Sequence, residues 1–164
     1  MTTERYSSTP TGGLEGLIAA VQQASEEDGL DASLGPAQWA LVGPYLQPME
    51  LGAGQVLFDQ GSNDRSLYLI ESGSLSVHYQ DLKQRVRLAI VGSGSVVGEG
   101  AFFSHRSRSA TVQANGACRL WGLTPLRFAE LSNRQPAAAL ALVMAVGAVL
   151  AKRLANRRLR VAAT

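Results

Sequence analysis

The chain has 164 residues, one cysteine, 46% hydrophobic and 17% charged residues and a formal net charge of +2. That length suits one domain able to bury a sizeable core, and the composition excludes a largely disordered chain. The single Cys118 excludes an internal disulfide framework and any cysteine-based metal or iron–sulfur site, and it suits a reducing compartment, so a cytoplasmic location is expected.

Residues 1–13, MTTERYSSTPTGG, hold one arginine and no apolar core, which predicts a flexible tail rather than a secretory signal. Charge is uneven beyond it: residues 1–50 carry seven acids against Arg5, a net of −6, and residues 51–164 carry fourteen Lys/Arg against six acids, a net of +8. A basic body fits an anionic partner or a solvated basic face equally well. Leu14, Leu17, Ile18 and Val21 have helical spacing, and the acidic Glu26-Glu27-Asp28-Gly29 ends that helix. A second short helix is expected from Pro36 to Pro44, which makes 14–45 an N-terminal helical segment.

From Leu46 the period changes. Short alternating runs (QVLFDQ, SLYLIES, SLSVHYQ, RVRLAIV, SVVG, ATVQA, CRLWGL) are separated by glycines through Leu123. Some eight short antiparallel strands in so little chain fold back on themselves rather than lie flat with open edges. The expected fold is therefore mainly β with flanking helices (α+β), an antiparallel roll or jelly roll over 46–123. After Trp121 the strand signal stops. Thr124 and Pro125 open a helix through TPLRFAELSNRQP, and Pro136 opens a long one running to Val161, giving a C-terminal helical segment over 124–164. Its fifteen-residue uncharged stretch, Ala137 to Ala151, is shorter than the roughly 20 residues that cross a bilayer, so it reads as a buried helix. Leu140, Val143, Gly147, Leu150, Leu154, Arg157 and Val161 form a coiled-coil-like seam, while Leu142, Ala145, Val146 and Val149 form a second stripe. Two stripes imply two neighbours, the roll and a second copy of the helix.

The chemistry concentrates in GEGAFFSHRSRSATV, residues 98–112. Arg108 offers a planar fork of donors that fits a phosphate, and Ser109, Ala110 and Thr111 let amides and hydroxyls approach the same anion. A helical turn over Gly100 to Phe103 would add its own amides. Glu99 would repel a phosphate, so it is suited to accept from a sugar hydroxyl beside it. The alternative is that Glu99 pairs internally with Arg108 in an empty site. His105 and Arg106 are expected in solvent, and Phe58, Tyr68, Phe102, Phe103 and Trp121 in the packing. Two histidines without paired carboxylates assemble no metal site or catalytic triad, so no enzyme activity, metal or cofactor is expected.

Gly98-Glu99-Gly100-Ala101-Phe102-Phe103 followed by Arg108-Ser109-Ala110-Thr111-Val112 resembles the phosphate-binding cassette of the cyclic nucleotide-binding domain family. The upstream pattern from Gly54 to Val77 is similar to that family's opening roll strands, and the segment from Phe128 through Pro136 to the long helix resembles its hinge and lid, so the resemblance spans about residues 36–160. It implies a regulatory domain for cAMP or cGMP, with Glu99 on the ribose 2′-hydroxyl and Arg108 on the cyclic phosphate. Ser109 and the amides of Ala101 and Ala110 would take the remaining phosphate oxygens, with Gly98, Gly100 and Thr111 completing the cassette. Arg153, Asn156 or Arg157 would reach the base from the lid. Output would pass to a homodimer through the long helix or to a separate effector or membrane protein. The alternative is a degenerate roll with an empty site, used for docking or dimerisation. The transcription-factor branch of the family continues into a helix-turn-helix domain, whereas this sequence ends three residues past Val161, so no DNA binding by this chain is expected. Two positions depart from the family pattern: Val97 stands where an aromatic is common, and Gly100 where a bulky apolar residue is usual. Glycine inside a helical turn costs about 0.5–1 kcal/mol relative to alanine.

Overall fold

The computed structural model describes residues 13–30, 33–156 and 159–164. The tail expected over 1–13 lies outside these apart from Gly13, and so does Arg157. Helix α1 (Leu14–Gln22) buries Leu14, Leu17 and Val21, the face its spacing marked out. Helix α2 (Pro36–Val42) starts on Pro36, with the Gly35 amide donating to the Gln38 side chain at 2.8 Å, and runs into a 3-10 turn at Gly43–Tyr45.

Eight strands follow: β1 (Gln47–Leu51), β2 (Val56–Phe58), β3 (Leu67–Ser72), β4 (Ser74–Gln80), β5 (Val86–Gly92), β6 (Val96–Val97), β7 (Thr111–Ala114) and β8 (Cys118–Leu123). They form two four-stranded antiparallel sheets, ordered β1-β8-β3-β6 and β2-β7-β4-β5. This is the expected antiparallel roll with flanking helices. β1 was absent from the alternating runs because Pro48 interrupts it. The proline is tolerated since β1 is an edge strand paired only with β8, where a missing N–H breaks no second ladder.

Alternation along β3 and β8 builds three layers. Leu67, Leu69, Trp121 and Leu123 face the helices, while Ile70, Leu120 and Cys118 face the second sheet with Phe58, Leu75, Val77, Val91 and Val112. The first sheet is thus covered on both faces, and its register is fixed because a one-residue slip would move each core's side chains into a space shaped for the other.

The cassette begins with α3 (Glu99–Ser104), after which α4 (Pro125–Arg134) and α5 (Pro136–Ala155) complete the chain's helices among the described residues. Thr124 caps α4, its hydroxyl accepting from the Arg127 amide at 3.2 Å. On α5, Leu142, Ala145, Val146 and Val149 are all buried in the helix-side core. Leu140, Met144 and Leu154 are 62%, 66% and 55% exposed, leaving an apolar stripe on the opposite face. With 20 residues, α5 is long and apolar enough to cross a membrane by length and composition, yet one face of it packs inside the domain.

One expectation needs correction. α5 ends at Ala155 rather than running to Val161, with Asn156 extended at φ −105° and ψ 113°. Residues 159–164 turn back, forming a 3-10 turn at Arg160–Ala162 and burying Ala162 and Thr164. Val161 therefore packs, half-buried, against the roll's core and not in a helical seam. The reversal is held by Arg153 in the last turn of α5, which donates to the Ala162 carbonyl at 3.0 Å.

Candidate functional site

The cassette lies between β6 and β7 and has two arms. Gly98 opens the first at φ 85°, a left-handed conformation that a side chain would strain. A Cβ there would also stand 2.6 Å from the Ser66 carbonyl oxygen and 2.7 Å from an Arg108 guanidinium nitrogen. The turn aims Glu99 inward, where it is fully buried. Its Oε1 accepts from Arg153 Nη1 at 2.8 Å and from the Thr164 amide at 3.0 Å. Ala101 and Phe102 are buried, and His105 closes α3 in a left-handed conformation at φ 58°, exposed together with Arg106.

The second arm carries Arg108, which is 1% exposed. Its Nη2 donates to Asp64 Oδ2 at 2.8 Å and to the Ser66 carbonyl at 2.6 Å, and its Nη1 donates to the Gly98 carbonyl at 2.9 Å. The guanidinium lies 3.9 Å from the Phe58 ring centre, a cation–π contact that fixes its plane. Nε is buried without a hydrogen-bond partner. The backbone around it is strapped to the loop after β2: the Gly61 amide donates to the Arg108 carbonyl at 2.7 Å, the Arg108 amide to Ser62 at 2.8 Å, and the Gln60 amide to Thr111 Oγ1 at 2.9 Å. Partial burial acts to raise the Asp64 carboxyl, but hydrogen bonds and the Arg108 charge outweigh it and hold the group below its ordinary value. Burial, reinforced by the Asp64 charge, pushes Tyr68 up to about 12.

Glu99 and Arg108 therefore do not pair with each other; each has its own internal partner. Arg153 is the other hub. Fully buried, it donates to Asp28 at 2.6 and 3.2 Å, Ser95 Oγ at 2.9 Å and the Val96 carbonyl at 2.8 Å, besides Glu99 and Ala162. These bonds join the acidic turn after α1, β6, the cassette and the returning segment. The charges of Glu99 and Asp28 raise the Arg153 pKa despite the opposing effect of burial.

Beside the second arm is a cleft of about 430 Å³, lined by Ser109 and Ala110 of the cassette, Tyr79, Asp81 and Arg87 of the roll, and Arg160, Val161 and Ala163 of the returning segment. Ser109 is exposed and Ala110 buried. Neither Arg153 nor Asn156 lines this cleft. Asn156 caps α5 and borders a separate shallow depression with Glu26, Glu27 and Lys152. Among the described residues of the basic terminal cluster, Arg160 lines the cleft.

Sequence reasoning missed Asp64, Asp28 and Thr164. Their partners lie 44, 125 and 65 residues away, so no local pattern marks them, although the acidic run Glu26-Glu27-Asp28 facing a basic C-terminus was visible as a charge imbalance.

A family model described as the cyclic nucleotide-binding domain matches residues 48–135. The chain belongs to that family. Its similarity to the cAMP-dependent protein kinase regulatory subunit of Yarrowia lipolytica is 31% identity over 86 residues, covering 52% of this chain and 22% of the relative. A solved cyclic nucleotide-binding domain from Methylobacillus flagellatus superposes with a TM-score of 0.75 at 19% identity, over 87% of this chain and 78% of that one. The regulatory domain of Toxoplasma gondii PKA, crystallised with cAMP, superposes with a TM-score of 0.62 at 27% identity, over 76% of this chain and 46% of that one. The chain spans 10% to 23% of the length of the curated relatives it matches.

Proposed function

We propose that this domain binds a cyclic purine nucleotide, cAMP or cGMP, in the cassette and acts as a regulatory, non-catalytic unit. The observation that carries the reading is Arg108. It is a buried guanidinium pinned by Asp64, two carbonyls and Phe58, with its Nε–H left without a partner. Its chain neighbours Ser109 and Ala110 line an open cleft with Tyr79, Asp81 and Arg87 of the roll, bordered by the returning segment. A preset cation whose chain neighbours line an open cleft suits a single phosphate attached to a larger body. The cAMP complex of the Toxoplasma gondii relative supports the same ligand class.

Transmission would run from α3 to α4 through Phe102, whose ring centre is 5.1 Å from Phe128 at 76°. From there α5 carries the change to an exposed apolar stripe at Leu140, Met144 and Leu154, suited to a second copy or to an effector protein. The switch can be no stronger than the ligand's difference in affinity for the two helix positions.

Titration calorimetry with cAMP and cGMP tests binding, and thermal unfolding at a hundredfold excess over Kd should show about 2.7 kcal/mol of added stability. Ser109→Ala, at an exposed position, should weaken binding without loss of fold, and Arg108→Ala should abolish it. Absence of heat and of thermal shift at millimolar ligand overturns the reading. A second reading, a docking or dimerisation module with no nucleotide, is favoured by one observation: both Glu99 oxygens face internal donors, Arg153 and Thr164.

A further inference from the structure

The first arm of the cassette is filled by the chain itself. Thr164 is 1% exposed and meets that arm through four hydrogen bonds. Its hydroxyl accepts from the Gly98 amide at 2.8 Å, and its carbonyl oxygen accepts from the Ala101 amide at 3.0 Å. Its own amide donates to Glu99 Oε1 at 3.0 Å, and the hydroxyl reaches Glu99 Oε2 at 3.4 Å. One residue thus offers oxygen acceptors to the amides and N–H and O–H donors to the carboxylate. That is the polarity a phosphate beside a sugar hydroxyl would present to the same groups.

Gly100 supplies an independent observation. It lies inside α3 without a left-handed φ, so backbone conformation does not call for glycine there. A Cβ at this position would stand 2.8 Å from the Thr164 carbonyl carbon, 3.0 Å from its oxygen and 3.4 Å from its Cα. All three atoms are backbone, so no rotamer change relieves the contact. The absence of a side chain at 100 is what lets residue 164 lie against the cassette. The segment is anchored besides: Ala162 is fully buried in the roll's core, and its carbonyl is held by Arg153, the same guanidinium that binds Glu99.

We propose that residues 159–164 are a built-in occupant of the nucleotide site, which a cyclic nucleotide must displace to reach Glu99. Binding is thereby coupled to release of the segment that follows α5. This rests on the nucleotide-binding reading above. The apparent affinity is lowered by the fraction of molecules in which the segment is bound, and anything that expels it raises affinity without touching the ligand.

The test compares the full chain, Gly100→Ala and a variant lacking 159–164, each titrated calorimetrically with cAMP and cGMP, with amide exchange of Ala162 and Thr164 followed by NMR in the full chain. Gly100→Ala is expected to bind at least tenfold tighter than the unaltered chain, and the shortened variant, which also loses Arg160 from the cleft, tighter than the unaltered chain. Added nucleotide should speed exchange at both amides. Equal affinity in all three proteins, or exchange at Thr164 unchanged by saturating nucleotide, overturns the displacement while leaving nucleotide binding in place. No binding by any of the three overturns the nucleotide reading and displacement with it. Should the shortened variant fail to fold, Gly100→Ala and the exchange measurement decide alone.

Discussion

The two arms of the cassette differ in what holds them. The arm from Arg108 to Thr111 is braced from behind, by Asp64, the Ser66 and Gly98 carbonyls, the Phe58 ring and the loop at 60–62, while Ser109 and Ala110 remain on an open cleft. The arm from Gly98 to Ala101 is closed from the front, its amides and its carboxylate taken up by Thr164 and Arg153. A preorganised cation costs little to present to a ligand, since its geometry is set during folding. A carboxylate already satisfied twice must exchange partners before it can grip anything else. The contrast locates preorganisation in one arm and control in the other.

Substitutions can break that contrast from either side. The largest effect is expected at Arg153, where truncation leaves the buried Glu99 and the half-buried Asp28 without their cation. Arg153→Ala should lower stability by about 3–5 kcal/mol, read from the urea midpoint, and loosen both the returning segment and the acidic turn. Arg108→Ala comes next, at about 1.5–3 kcal/mol, because its partner Asp64 is 35% exposed and can recover water. A loss at Arg108 as large as at Arg153 would erase the distinction between an arm backed by a half-open partner and one closed on buried charges. Thr164→Ala, which removes only the hydroxyl's share of the contacts, should cost about 0.5–1.5 kcal/mol.

The smallest expected effect is the pH dependence of the Asp64–Arg108 pair. The folded pKa of Asp64 is depressed below 3.8, so its contribution is present above that value and lost as pH falls through the depressed one. Exposure to solvent screens the pair. Acid unfolding monitored by circular dichroism should shift slightly to higher pH in Asp64→Asn.

Much of this molecule was legible residue by residue. The alternation that made β3, β4 and β8 into strands is the one that sorts their side chains between the two cores, and Thr124-Pro125 and Pro136 mark the starts of α4 and α5. β1 was hidden by Pro48, since an edge position excuses what a central strand would not tolerate. The end of α5 was hidden too, because nothing between Ala151 and Val161 breaks a helix. The helix stops where Arg153 and the buried Ala162 make reversal more favourable than another turn in solvent.

Sequence by itself determined the family and the roll, because these rest on local periodicity, turn chemistry and a motif contained within fifteen consecutive residues. It also marked Gly100 as an anomaly without a reason. Tertiary structure alone decided who partners whom: Arg108 with Asp64 rather than Glu99, Glu99 with Arg153, and Gly100 with the backbone of Thr164. Those choices depend on the desolvation of charges brought together from distant parts of the chain. Burial makes each unpaired alternative costly, and burial is a property of the folded whole.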